Sequence, residues 1–395
     1  MPHCTTNEFV INNLCFSPET GTTLSEKLDD CYKQFVERTV NYTEQTVVRQ
    51  TVFISAGSNS EYHQNKRKLF ACAKLFFNEL PPTSIIAQLP DNGSLILEIV
   101  CIQGIQPGEI TFKRNDSASW LVLERNTRKM IIAAGLSEIM ESNCILQQSI
   151  KAFELLQNIL QEEEMAFSDV IRQWNYIEKI TANTDYNNSI SQHYQIFNDV
   201  RSRFYQKAHF ENGFPAATGI GMDFGGINID FIAAKTECKK SIIGVKNPVQ
   251  LDAYHYSKEV LAENSAMSDF CQTTPKFERA KVLITPEGKW LFVSGTAAIT
   301  GQMSSLQSCI EQQTEMTIQN ILSLISTENL QKHGIDCGER VTLNYLRAYI
   351  KYKSDIAQAK KICRKYFPHI PIAFVVADIC RPELLIEIEG QAAIH

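Results

Sequence analysis

Near the carboxyl end, Leu384 to Gly390 reads LLIEIEG, two carboxylates set into an otherwise apolar run. As a strand, it puts Leu385, Glu387 and Glu389 on one face and Leu384, Ile386 and Ile388 on the other. A carboxyl held in an apolar setting stays protonated to higher pH, and a neighbouring carboxylate raises it further, which suits it to general-acid chemistry. A strand whose glutamate face is bathed in water gives the same pattern, and alternation alone does not choose. Other chemistries find less support. The 12 cysteines are scattered from Cys4 to Cys380 with no CxxC pair, and the 8 histidines form no HxH or HExxH. Zinc, iron–sulfur and thioredoxin-type sites are therefore not expected, and the cysteines read as reduced core thiols.

The chain has 395 residues, 38 Lys and Arg against 44 Asp and Glu, and a net charge of −6. That balance argues against a general nucleic-acid binder. With 44% hydrophobic and 21% charged residues, the composition is globular rather than disordered or fibrous. No apolar run reaches the length of a membrane span, and MPHCTTNEFV lacks the features of a secretory signal, so the expectation is a cytoplasmic protein.

Positioning the carboxylates falls to repeated elements. PIAFVVADICRPELLIEIEG from Pro371 aligns without a gap on PTSIIAQLPDNGSLILEIVC from Pro82, so Glu387 falls on Glu98. FPAATGIGMDFGGINIDFIAAK from Phe214 is a third copy, with Asp230 near the same position. Each reads as a hairpin-like strand–loop–strand unit. Ahead of the later copies stand two more strand pairs, from Ser119 and Ala280, then helical stretches near 137–162 and 304–326, and second helices near 190–210 and 355–366. The order is ββ–α–β–α–ββ, twice complete, with the first copy supplying its second half only. The division expected is an N-terminal extension (1–45), a partial unit (46–105), a degenerate unit (118–236), an inserted connection lining the site (237–275) and a C-terminal unit with the acid (276–395). The fold class is α+β, with three related units packed as a pseudo-trimer within one chain and no need of further copies, hence a monomer.

These repeats resemble the RidA (YjgF) family, through Ser294–Gly295 before a turn and the terminal Ile386–Gly390 strand. The long three-unit chain, with NPVQLDAYHY (247–256), FERA (277–280), VSGTAAITG (293–301) and ADICRPELLIEIEG (377–390), resembles the chorismatase family more narrowly. That resemblance implies a cofactor-free, metal-free enzyme whose small-molecule partner is chorismate. It would release the enolpyruvyl group as pyruvate and leave 3-hydroxybenzoate, or alternatively a dihydroxycyclohexadiene carboxylate or a mixture with 4-hydroxybenzoate.

On that resemblance Glu387 is the general acid, and Cys380, seven residues earlier, faces the substrate as in members that aromatise their product. Two substrate carboxylates call for arginines. Arg279 is the first choice, with Arg203 and Arg347 behind it. Gly295 and Thr296 are expected to offer backbone N–H groups, Thr218 and Gly219 an opposing wall, and Tyr254 or Tyr256 a hydroxyl. Ala298 is expected where side-chain size sets the product. Cys380 points to 3-hydroxybenzoate and Ala298 to the diol. The arginine that RidA proteins carry after the PA of the late hairpin is absent, with Ala217, Ile372 or nearby Ala373, and Ser84 in the comparable places. This counts against the alternative of an enamine/imine deaminase. A non-catalytic ligand-binding protein is the third reading. One working site is expected, between the middle and last units.

Overall fold

The computed structural model describes residues 9–40, 45–115, 118–138, 144–186, 189–257, 260–261, 273–305, 309–336, 338 and 340–395. The first unit comprises β1 (Val10–Phe16), α1 (Leu24–Thr39), β2 (Gln45–Ile54), α2 (Asn59–Phe76), β3 (Thr83–Ala87) and β4 (Leu95–Gln103), in sheet order β1-β4-β2-β3. The second comprises β5 (Ile110–Arg114), β6 (Ser119–Arg125), β7 (Arg128–Leu136), α3 (Ile145–Glu162), β8 (Val170–Glu178), the short pair β9 (Asn183–Tyr186) and β10 (Ser189–Gln192), α4 (His193–Tyr205), β11 (Ala216–Met222) and β12 (Ile227–Lys235). Its sheet order is β11-β8-β12-β7-β6-β5. The third comprises β13 (Ile242–Val245), β14 (Ala280–Thr285), β15 (Gly288–Ala297), the short pair β16 (Ile299–Thr300) and β17 (Met303–Ser304), α5 (Ile310–Leu324), α6 (Thr327–Lys332), β18 (Val341–Ile350), α7 (Ile356–Tyr366), β19 (Ile372–Val376) and β20 (Ile386–Ile394). Its sheet order is β13-β14-β15-β20-β18-β19.

Four expectations change. The late strand pairs are not hairpins: β2, β8 and β18 lie between the two strands of each pair, parallel to the first and antiparallel to the second. A helix crossover precedes each parallel strand, which leaves room for that insertion. The first 45 residues are not a separate extension, because β1 pairs with β4 and α1 packs Leu28, Cys31 and Tyr32 into the first unit's core. Thr23 and Glu26 start α1 with a reciprocal capping box. The stretch left between the first two units and the inserted connection of 237–275 contribute edge strands, β5 on β6 and β13 on β14. The long helices start later, at Ile145 and Ile310.

Each unit has its own apolar core between sheet and helices, and two further clusters draw on all three units. One of these joins Phe53 and Ile86 to Tyr176 and Ile220 and to Tyr349 and Val375. The opposite sheet faces thus meet around a common axis, and buried acids cross it in cyclic order. Glu98 of the first unit meets Arg347 of the third, Glu389 of the third meets Arg172 of the second, and Asp230 of the second accepts from Ser84 of the first. Buried charges are tolerated when paired in this way.

Register corrects the alignment of the acids. Glu98 lies opposite Thr51 three pairs beyond Leu95–Ile54, and Glu389 lies opposite Arg347 three pairs beyond Ile386–Ile350. In the second unit, Ile229 pairs with Leu136 after Gly135, as Ile388 pairs with Thr296 after Gly295. Glu98 and Asp230 are therefore counterparts of Glu389, and the Glu387 position holds Ile96 and Asn228. The gapless alignment slipped because the 377–385 connection is longer by two residues than 88–94.

Candidate active site

Between the second and third units lies a cavity of about 300 Å³ lined by Glu387, Arg279, Arg381, Cys380, Tyr194 and Tyr256, among others. Three elements supply its chemistry: β20 carries the acid, the turn after β19 carries Cys380 and Arg381, and α4 presents Tyr194, Gln195 and Asn198 at helical spacing. Among described residues, no cluster of His, Cys, Asp and Glu is disposed to hold a metal ion.

Glu387 is 5% exposed and accepts no hydrogen bond from the described residues, although the cavity reaches it. Burial pushes its carboxyl up to about 8, the negative charge of Glu389 adds to the rise, and Arg172 and Arg279 oppose it. Glu389, two residues on, behaves oppositely. Burial would raise it, but Arg172 and Arg347 and hydrogen bonds from Thr218 and Trp174 outweigh that and hold it low. One strand face thus carries a protonated carboxyl and an ionised one, the separation that divides acid from charge in acid–base sites. Burial pushes the Cys380 thiol up to about 12, with Glu387 adding to it, so Cys380 is a neutral thiol in the wall rather than a thiolate.

Two arginines share the cavity with the acid. Arg279 donates from Nη2 to the Tyr256 hydroxyl at 2.6 Å and to the Leu251 carbonyl, while its buried Nε has no partner among the described residues. Arg381 lies 5.1 Å from the centroid of the same tyrosine ring and donates to the Gln302 carbonyl and the Ser304 hydroxyl, at 2.8 and 2.9 Å. Tyr256 therefore sits between both cations. Gly295 lets the acid approach, since a Cβ there would lie 2.0 Å from Glu387 Oε1. Gly295→Ala is expected to displace that carboxylate and lower turnover at least tenfold, more than the melting temperature changes; steady-state kinetics beside thermal unfolding checks this.

Of the sequence-derived candidates, Glu387, Cys380, Arg279, Gly295, Gly219 and Tyr256 line the cavity. Thr296 and Ala298 do not, because strand alternation turns Gly295, Ala297 and Ile299 inwards instead. Tyr254 donates to Asp252 and Glu278 outside the cavity. Arg347 is drawn to the axis between Glu98 and Glu389. Arg203 is on the exposed side of α4, away from the face bearing Tyr194 and Asn198. Thr218 lies behind the wall, accepting from the Gly295 amide at 3.1 Å. Sequence reading missed Arg381 and Tyr194. Adjacency to Cys380 was a signal for Arg381, whereas no spacing in the chain marks Tyr194.

Residues 111–233 match the family model described as chorismatase FkbO/Hyg5-like, N-terminal. A 3-hydroxybenzoate synthase of Streptomyces hygroscopicus is 32% identical over 251 residues, 61% of this chain and 66% of that protein. A chorismatase of the same organism is 30% identical over 244 residues, 60% of this chain and 66% of that protein. The chain therefore spans just under two thirds of the length of the curated relatives it matches. A crystal structure of a chorismatase superposes with a TM-score of 0.70 at 21% identity, covering 97% of this chain and 99% of that one. The units found here are thus arranged as in that protein, and the chain is similar in sequence and in fold to chorismatases.

Proposed function

We propose that the protein cleaves the enolpyruvyl ether of chorismate by general-acid catalysis, releasing pyruvate and 3-hydroxybenzoate. The observation that carries this reading is Glu387, a shielded carboxyl raised to about 8, facing a cavity that Arg279 and Arg381 also line. The two guanidiniums suit the two carboxylates of the substrate. Glu387 gives its proton to the terminal methylene carbon, whose π electrons form the new C–H bond. The carbon bearing the ether oxygen becomes an oxocarbenium ion. Attack on it by the neighbouring ring hydroxyl, which gives up its proton, closes a cyclic ketal. The ring C–O bond of that attacking oxygen then breaks, the ring carbon bearing the ether oxygen loses its proton, and the bond between the ether oxygen and the former enol carbon opens. Pyruvate leaves with the attacking oxygen as its ketone and the ether oxygen stays on the aromatic ring as the phenol, so water is neither consumed nor released. Attack by water from outside gives the dihydroxycyclohexadiene carboxylate instead.

The 3-hydroxybenzoate assignment is supported by the relative carrying that name and by Cys380 in the wall. As a neutral thiol, Cys380 acts there by shape and as a weak donor. Ala217 lines the cavity where a RidA-type deaminase would carry arginine, which disfavours that alternative. The test is to incubate the protein with chorismate, follow pyruvate with a coupled dehydrogenase and identify the ring product by chromatography. Pyruvate with 3-hydroxybenzoate is expected, and absence of pyruvate overturns the reading.

A further inference from the structure

The three axial acids are placed alike but serve their clefts differently. Between the first and second units, Asp230 Oδ1 accepts directly from the Gly135 amide at 2.8 Å and from the Ser84 hydroxyl. Between the second and third, a hydroxyl is interposed. Thr218 Oγ1 accepts from the Gly295 amide at 3.1 Å and from Arg172 Nη2 at 2.8 Å, and donates to Glu389 Oε2. Arg172 Nη2 also donates to that same oxygen at 2.5 Å, while Arg347 Nη1 at 2.8 Å and Trp174 Nε1 at 2.9 Å donate to Glu389 Oε1. The axial acid is thereby set back from the glycine by one side chain. Glu387 lies against that glycine, at a position held by Asn228 and Ile96 in the other units.

From this we infer that Glu389, Arg172 and Thr218 are positioning residues acting across the unit interface: Arg172 clamps ionised Glu389, Glu389 orients the Thr218 hydroxyl, and Thr218 pins the Gly295 amide against which Glu387 is seated. The inference rests on the general-acid reading above and adds to it which residues make one of three related clefts an acid site. A buried network in which Thr218 Oγ1 and both oxygens of Glu389 are bonded has one arrangement, and it fixes the wall within the tolerance that proton transfer requires. It also places a fixed negative charge beside the acid. The other charged and titratable groups around Glu387 come from each element packed on it: Arg172 from β8, Tyr194 from α4, Arg279 ahead of β14, and Cys380, Arg381 and Glu383 from the turn before β20.

Three variants test this. Thr218→Val keeps shape but removes one donor and two accepted bonds; turnover is expected to fall about 10- to 100-fold with KM changed less than about twofold, the range for losing a buried hydrogen bond to a charged group. Thr218→Ser is expected to restore most of that activity. Glu389→Gln removes a negative charge beside Glu387 and leaves Arg172 without its carboxylate partner, so the alkaline limb of the pH–rate profile moves down by about one pH unit or more. The same shift is read without turnover from the infrared carboxyl band of Glu387, identified by its loss in Glu387→Gln. Equal loss from Thr218→Ser and Thr218→Val, or an unmoved limb and band in Glu389→Gln, overturns the inference. If Thr218→Val does not fold, the Glu389→Gln titration decides alone. Wild-type protein that releases no pyruvate overturns the chorismate reading, while the infrared comparison still judges this one.

Discussion

Glu387→Gln lowers turnover of chorismate to pyruvate by about 10²- to 10⁴-fold, the contribution of a positioned general acid. The glutamine fills the same volume and keeps a polar tip but has no proton to give to carbon. KM changes little, since the arginines that hold the substrate are untouched. The substitution also changes how stability depends on pH. In the folded protein Glu387 titrates near 8, against a reference value of 4.5. A group raised on folding favours the folded state fully below its unfolded value and loses that contribution as pH rises through the folded one. Above about pH 8 the wild type therefore holds a buried carboxylate at a cost on the order of 4–5 kcal/mol. Glutamine escapes this cost, so the variant gains stability relative to wild type between about pH 5 and pH 9. Thermal melts at both ends check it. A variant whose melting temperature tracks wild type throughout contradicts a shielded Glu387.

Arg279→Ala lowers kcat/KM about 30- to 3000-fold, mainly through KM, as expected when one partner of a buried charge-assisted contact is removed. Arg279 is 2% exposed, its Nε is unpartnered among the described residues, and two of its contacts are made by one nitrogen, Nη2. The rest of the fork is available to a carboxylate. Arg279→Lys recovers charge but not the planar fork, so recovery is partial. A second consequence has a definite sign. Arg279 opposes the rise of Glu387, so its removal moves the alkaline limb upward, opposite to Glu389→Gln. Steady-state kinetics over pH resolves both effects.

The elements that carry the acid were legible because period-2 alternation and internal repetition are local signals. LLIEIEG marked β20, and the repeat of strand pairs marked three units. Tertiary pairing was not legible. No local signal says that β18 inserts between β19 and β20, and without that register Glu387 was equated with Glu98 in place of Glu389. A one-position error in a strand likewise exchanges faces, which is how Ala298 was read as wall when Ala297 and Ile299 are. Arg347 has the residue type of a carboxylate ligand, but only the assembled axis shows it spent on Glu98 and Glu389. Tyr194 reaches the cavity because Gly219 leaves space for its ring: a Cβ there would lie 2.8 Å from Cε2. That long-range fit has no trace in spacing.

The pH dependence of single-turnover pyruvate release bears most directly on whether a protonated side chain at position 387 drives the cleavage. A plateau at lower pH, falling through a midpoint near 8 and absent from the residual rate of Glu387→Gln, is the expected result. A wild-type rate that stays level from about pH 6 to about pH 9.5, or that climbs with pH, contradicts it.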